Sequence, residues 1–312
     1  MSNKKPFKTL DELIEIIEGR NVYIGDRERA KRFLARESYY AVINGYKDPF
    51  IDKVRTEERG EDWYKDGTTI IDFELLYLID TRLRELTRNI LMHAESVMRS
   101  TTVYAFCYYN RDAGAYLDPA SYVSINEYHH KDSYTRNLIR LLGVLQGVRD
   151  NRTHKEYIEH YSKKHHCVPL WVASKALTFG NMSAFYDLQK TSVKNATCRN
   201  IEYAIGSEPK SLGANDVWRA YSVLSGFRNI CAHKERLYCA RVGKSRYSFK
   251  DMLELLSLTT GKENLEQYVR GIVGLVNLAL PQEDDSDVYK IFMDGLGITI
   301  EEMKEKYLPV ES

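Results

Sequence analysis

The strongest constraint on the fold lies between Ile71 and Ser100. There Leu76, Ile79, Leu83, Leu86, Ile90, Ala94 and Val97 step by three and four without a break. Side chains at those spacings share one face of an α-helix, so the pattern predicts one long amphipathic helix. At ~1.5 Å per residue it is about 45 Å long. Its other side holds Arg84, Arg88, Glu95 and Arg99. Glu95 and Arg99 are four apart, and an exposed pair of that kind contributes only about 0.2–0.5 kcal/mol.

Helical signals fill most of the remaining chain. Thr9 and Glu12 form a capping-box pattern ahead of Leu10, Leu13, Ile14 and Ile17, with Gly19 as the stop. A second helix is expected from Asp26 to about Asn44, closed by Gly45 and Pro49. Residues 52–68 are charged and contain glycine, and read as a linker or mobile loop. Further helices fit 121–149, 153–164, 168–178, 182–191, 193–205, 216–237, 248–258 and 263–280. Arg246–Phe249 reads as a short strand, and an acidic stretch after Pro281 precedes a last amphipathic helix. The expected class is all-α. It divides into an N-terminal helical region and linker (1–68), a central helical domain (69–245) and a C-terminal helical extension (246–312).

The 216–237 helix carries the most chemistry. Val217, Ala220, Val223, Leu224, Phe227, Ile230 and Cys231 make its apolar stripe, with Asn215 or Asp216 as its cap. With Phe227 as the zero of the helix wheel, Arg228 falls at about 100°, Asn229 at about 200° and His233 at about 240°. Asn229 and His233 share a face, and the long Arg228 side chain can reach across to it. These groups suit phosphodiester cleavage: a cation and an amide for the phosphate, and an imidazole to move protons. Ser222, Ser225, Gly226 and Ala232 share the polar arc. Small residues in place of Glu, Lys and Gln, which are better helix formers than Gly or Ser, imply that another helix approaches there, from this chain or a second copy. Taken alone, Arg-x4-His is short, and both residues also read as surface charges beside a helix end.

Net charge is +1, so the whole surface is not built to attract nucleic acid, and binding would need local basic patches. Arg27, Arg29, Lys31, Arg32 and Arg36 are interleaved with acids and read as solvated. Lys234, Arg236, Arg241, Lys244 and Arg246 follow the motif directly. The five cysteines are odd in number and none is spaced C-x-x-C, which predicts reduced thiols. No apolar signal core and no run of about 18 apolar residues is present, so a cytoplasmic protein without a membrane segment is expected.

His160, His165 and His166 lie near Cys167, and His129 is beside His130, but Lys163 and Lys164 lie within the first group and no H-E-x-x-H occurs, so no metal site is expected. Phosphate-loop, dinucleotide and G-x-S-x-G signatures are absent, and no cofactor is expected. Cys231 turns inward on the helix wheel and reads as a core thiol, not a nucleophile.

Several blocks in a fixed order add to this reading. They are Ser38-Tyr39-Tyr40-Ala41-Val42-Ile43-Asn44-Gly45-Tyr46 with Pro49-Phe50, Asp80-x-x-Leu83-Arg84, and Glu95-x-x-x-Arg99. Trp171, Thr178-Phe179-Gly180-Asn181-Met182-Ser183 and Arg228-Asn229-x-x-Ala232-His233 follow. In these the chain resembles Abi-like proteins of the AbiD/AbiF type, an abortive-infection family of bacterial phage defence within the HEPN superfamily of helical ribonucleases. The resemblance covers most of residues 5–240. The last seventy or so residues carry no matching block.

The resemblance implies an HEPN-like helical bundle with additional N- and C-terminal helices. It implies a homodimer whose two motif helices build one composite site for RNA. Arg228, Asn229 and His233 match the motif, and Glu95 and Arg99 match supporting positions on the long helix. The implied reaction is metal-independent: the ribose 2′-OH attacks the adjacent phosphorus, with His233 as base or acid and Arg228 and Asn229 on the phosphate. Lys234, Arg236 and Arg241 are the candidate RNA contacts. A non-catalytic module that binds a guide or antitoxin RNA, or an enzyme silent until infection, remain the alternatives.

Overall fold

The computed structural model describes residues 6–280 and 287–309. Among them the fold is all-α, without a strand. The helices in chain order are α1 (Leu10–Glu18), α2 (Arg27–Glu37), α3 (Lys53–Arg59), α4 (Ile70–Tyr109), α5 (Lys131–Arg149), α6 (Glu156–His165) and α7 (Leu170–Ala173). They continue with α8 (Phe179–Asp187), α9 (Thr191–Ile205), α10 (Ala214–His233), α11 (Phe249–Ser257), α12 (Lys262–Ala279), α13 (Asp287–Leu296) and α14 (Ile300–Tyr307).

Helix α4 is the axis. Thr69 and Asp72 close a capping box at its start, with Asp72 accepting from the Thr69 N–H at 2.7 Å. It then runs for 40 residues, about 60 Å. That is longer than its apolar stripe predicts, and α9, α10 and α12 pack along it. Leu76, Ile79, Leu83, Ile90 and Ala94 are buried as their spacing requires. Buried hydroxyl pairs fix the packing: Thr87 with the Tyr268 phenol at 2.6 Å, and Thr102 with the Tyr221 phenol at 2.8 Å. Tyr221 also donates to the Met98 carbonyl at 2.7 Å, tying α10 to α4.

Five local expectations are corrected. The helix from Asp26 stops at Glu37, because Ser38 turns left-handed (φ 72°), and Tyr40–Asn44 forms a separate wide turn. Residues 52–68 contain α3. Tyr64 pairs with Ile51 and buries its ring against Phe73, so this segment is a packed cover over the start of α4. Residues 121–130 precede α5 instead of joining it. Arg246–Phe249 is not a strand. Ser248 caps α11 through Asp251, and only an isolated Val242–Tyr247 bridge lies nearby. The expected last amphipathic helix is two, α13 and α14. The acidic stretch after Pro281 lies outside the described residues, up to Asp287 at the start of α13.

Candidate active site

Helix α10 buries Val217, Ala220, Val223, Leu224, Phe227 and Cys231 against α4, α8 and α11. Gly213 stands at its N-cap, and the Asp216 carboxylate reaches back to the Gly213 N–H at 3.1 Å. The helix ends at His233, four residues before its predicted end. Lys234 is left-handed (φ 58°), a conformation usually left to glycine or asparagine at this position.

A buried clamp holds the chain just beyond that turn. Asp80 of α4 is fully buried and accepts from the Tyr238 N–H at 2.8 Å and the Leu237 N–H at 3.1 Å. The Tyr46 phenol donates to the same carboxylate at 2.6 Å, and Arg84 pairs with it. Arg84 also donates to the Tyr46 oxygen at 2.9 Å and the Glu235 carbonyl at 3.3 Å. Burial pushes the Asp80 carboxyl upward, while Arg84, Tyr46 and the two backbone donors pull it back. Two blocks far apart in sequence, Tyr46 and Asp80–Arg84, therefore fix where α10 ends. In sequence Asp80 and Arg84 stand only as a block on the long helix; their shared partner Tyr46 could not be read from helical spacing.

About three turns further along α4, Glu95 connects the two helices. Its carboxylate pairs with Arg99 on the same helix and lies 3.6 Å from Nε of Arg228 on α10. Arg99 donates its other contact to the Leu177 carbonyl at 3.1 Å, and Arg228 donates to Oδ1 of Asn229 at 3.1 Å. The Glu95 and Arg99 side chains are only 13% and 22% exposed, so this is no solvated helix pair. Two guanidiniums against one carboxylate leave one positive charge over, at the edge of solvent. Such a group is suited to hold a phosphate.

Glu95, Arg99, Arg228 and Asn229 are thus brought together. His233 is exposed at the end of α10, about 7.5 Å further along the axis than Arg228, and makes no hydrogen bond or ion pair among the described residues. Arg236 pairs with Asp48 at 2.7 Å, and Arg241 donates to the carbonyls of Ala240 and Gly295. Lys234 is exposed. The earlier basic group is largely neutralised, with Arg27 on Glu18, Arg29 on Glu74, Lys31 on Asp11 and Arg36 on Glu37.

The small residues of the polar arc have two explanations. A Cβ on Gly226 would stand 2.4 Å from Cγ1 of Val242, so this glycine admits the chain that returns after the motif. Ser222, Asn229, Ala232 and His233 stay exposed, and no helix among the described residues covers them. Cys231 is buried and its thiol is pushed up to about 12, which leaves it inert. Among the described residues no three His, Cys, Asp or Glu side chains gather as a metal cluster.

A family model described as Abi-like protein matches residues 32–239, a span that holds α4, α10, the clamp and the Glu95 group. No curated protein and no solved structure matches the chain.

Proposed function

The chain belongs to the Abi-like protein family, whose name implies abortive-infection defence, and from that premise we propose that it is a toxin-like endoribonuclease of the HEPN type. The observation that carries the reading is the Glu95 bridge. It ties Arg228 and Asn229 of the motif to Arg99 on α4, forming a partly buried cationic group one helical turn and a half from the exposed His233. No helix among the described residues covers Ser222, Asn229, Ala232 and His233, which leaves that face for a second copy.

In the proposed reaction the ribose 2′-OH attacks its own 3′-phosphorus, the bond to the 5′-oxygen breaks, and the products end in a 2′,3′-cyclic phosphate and a 5′-OH. The His233 imidazole takes the 2′-OH proton or protonates the leaving oxygen. In a dimer the two copies supply both roles. Arg228 and Arg99 stabilise the charge that grows on the phosphate oxygens, and Asn229 orients it. No step calls on a metal. DNA lacks the attacking hydroxyl and is not cut.

The test is induced expression in bacteria of wild type and His233→Ala, with growth followed and total RNA examined. Toxicity and fragments ending in cyclic phosphate, for wild type only, are expected. Equal fragmentation by both proteins would refute the role of His233.

A further inference from the structure

A cavity between α6 and α7 lies outside every group assigned so far. Tyr157, His160 and Tyr161 of α6 line it together with Trp171, Val172 and Lys175, and Glu156 completes it. Its volume of about 600 Å³ falls within the roughly 300–1,000 Å³ of small-ligand sites. Trp171 is 52% exposed and Tyr157 38%, although their neighbours Leu170, Ala173 and Ile158 are buried. Firm backbone therefore holds large aromatic faces out to solvent. Lys175 makes no ion pair among the described residues.

This cavity adjoins the candidate active site. Leu177, two residues beyond Lys175, supplies the carbonyl that receives Arg99. Arg99 Nε is buried with no hydrogen-bond partner among the described residues. The Arg99 charge also reaches the Tyr157 phenol and partly offsets the upward push of burial.

Resting on the ribonuclease reading, we propose that this cavity is a subsite for one unstacked base of single-stranded RNA. The base stacks on Trp171 and Tyr157, and its flanking phosphate lies toward Lys175 and Arg99. Aromatic faces accept any base, so the subsite selects unpaired strand over sequence. It also suits the chemistry. In a stacked helix the 2′-oxygen sits out of line with the departing 5′-oxygen, and a nucleotide whose base is drawn aside can rotate into line. Cleavage then falls beside an extruded base in loops and open strands.

The experiment uses full-length protein carrying His233→Ala, which leaves RNA intact, and a short labelled single-stranded RNA of mixed sequence. Adding Trp171→Ala is expected to weaken binding about tenfold, and Tyr157→Ala to act in the same direction. Trp171→Phe is expected to restore most of the affinity, and an abasic RNA of equal length to bind all these proteins alike. Circular dichroism checks that each variant is folded. Equal binding by the parent and Trp171→Ala overturns the subsite, as does an equal loss on abasic RNA or no RNA binding by the parent. The expression test separates the two ideas. Cleavage without Trp171-dependent binding removes the subsite alone, and Trp171-dependent binding without cleavage removes the ribonuclease reading alone.

Discussion

Replacing Asp80 by Ala tests whether the clamp, and not the packing of α10 alone, sets the end of the motif helix. The carboxylate is fully buried and accepts from Tyr46, Leu237, Tyr238 and Arg84. Its removal strands a buried guanidinium, at a cost of about 3–5 kcal/mol. Arg84 keeps contacts to Tyr46, Thr81 and Glu235, so the low end, about 3 kcal/mol, applies. The Leu237 and Tyr238 N–H groups lose their acceptor as well, at about 1 kcal/mol each. The sum is about 5 kcal/mol, comparable to the whole stability of many domains. Arg84→Ala leaves Asp80 with three neutral donors and costs about 3 kcal/mol. The double variant holds neither the stranded cation nor the stranded anion, so it loses far less than the sum of about 8 kcal/mol. Urea unfolding followed by circular dichroism reads all four proteins, with the midpoint falling and the slope unchanged. If Asp80→Ala does not fold, Asp80→Asn, which keeps one acceptor oxygen, replaces it in the cycle. A loss below about 1 kcal/mol, or additivity within about 0.5 kcal/mol, refutes the clamp.

Other outcomes follow from single features. Gly226→Ala drives a methyl into Val242 and is expected to cost about 1–3 kcal/mol; Val242→Ala in the same chain relieves most of it in the same urea assay. Lys234→Gly removes a side chain from a left-handed residue and is expected to raise Tm by about 1–3 °C in a thermal melt. At high pH, burial holds the Tyr116 phenol up to about 12, and Tyr221 and Tyr268 are also pushed upward. The unfolded chain releases these protons near pH 10, so above that it binds fewer protons than the native state, and stability falls as pH rises from about 10 towards 12. Tyrosinate absorbance from the buried phenols is expected to rise together with the loss of helical dichroism. A single smooth titration near pH 10 with the helices intact contradicts this.

What could be read in advance follows from where the information sits. The stripe from Leu76 to Val97 is local and regular, so α4 was legible. Its extension to Tyr109 was not, because Thr101, Thr102 and Val103 are poor helix formers held there by Tyr221 and Asn200 across the core. Ser38 carries no glycine signal, and its left-handed turn is set by tertiary contacts. The charged 52–68 segment reads as a loop by composition, yet Trp63 and Tyr64 within it were the sign of a packed cover. At Arg246–Phe249 a local cue was present: Ser248 with Asp251 is a capping box, and it outweighs four residues of alternation. In the candidate site, Arg228, Asn229 and His233 were legible as a motif on one helix. Glu95 was legible only as a pair with Arg99, because its reach to α10 depends on how two helices cross. The Leu177 carbonyl and the Trp171 cavity left no spacing to find, since backbone acceptors and exposed aromatics have none.

The 40-residue span of α4 has a consequence for how such a chain can change length. Arg84 and Glu95 stand eleven residues apart, which brings them back to nearly the same angular phase, within about 20°. A single residue inserted or deleted between them turns Glu95 by about 100° relative to the clamp and shifts it by about 1.5 Å. Substitutions along this stretch can be absorbed one side chain at a time. A change of one in length cannot, because a continuous helix has no loop in which to store it. Relatives that keep both groups should therefore vary in length in the loops between helices and keep the count from Arg84 to Glu95 constant, or change it by a number that restores phase.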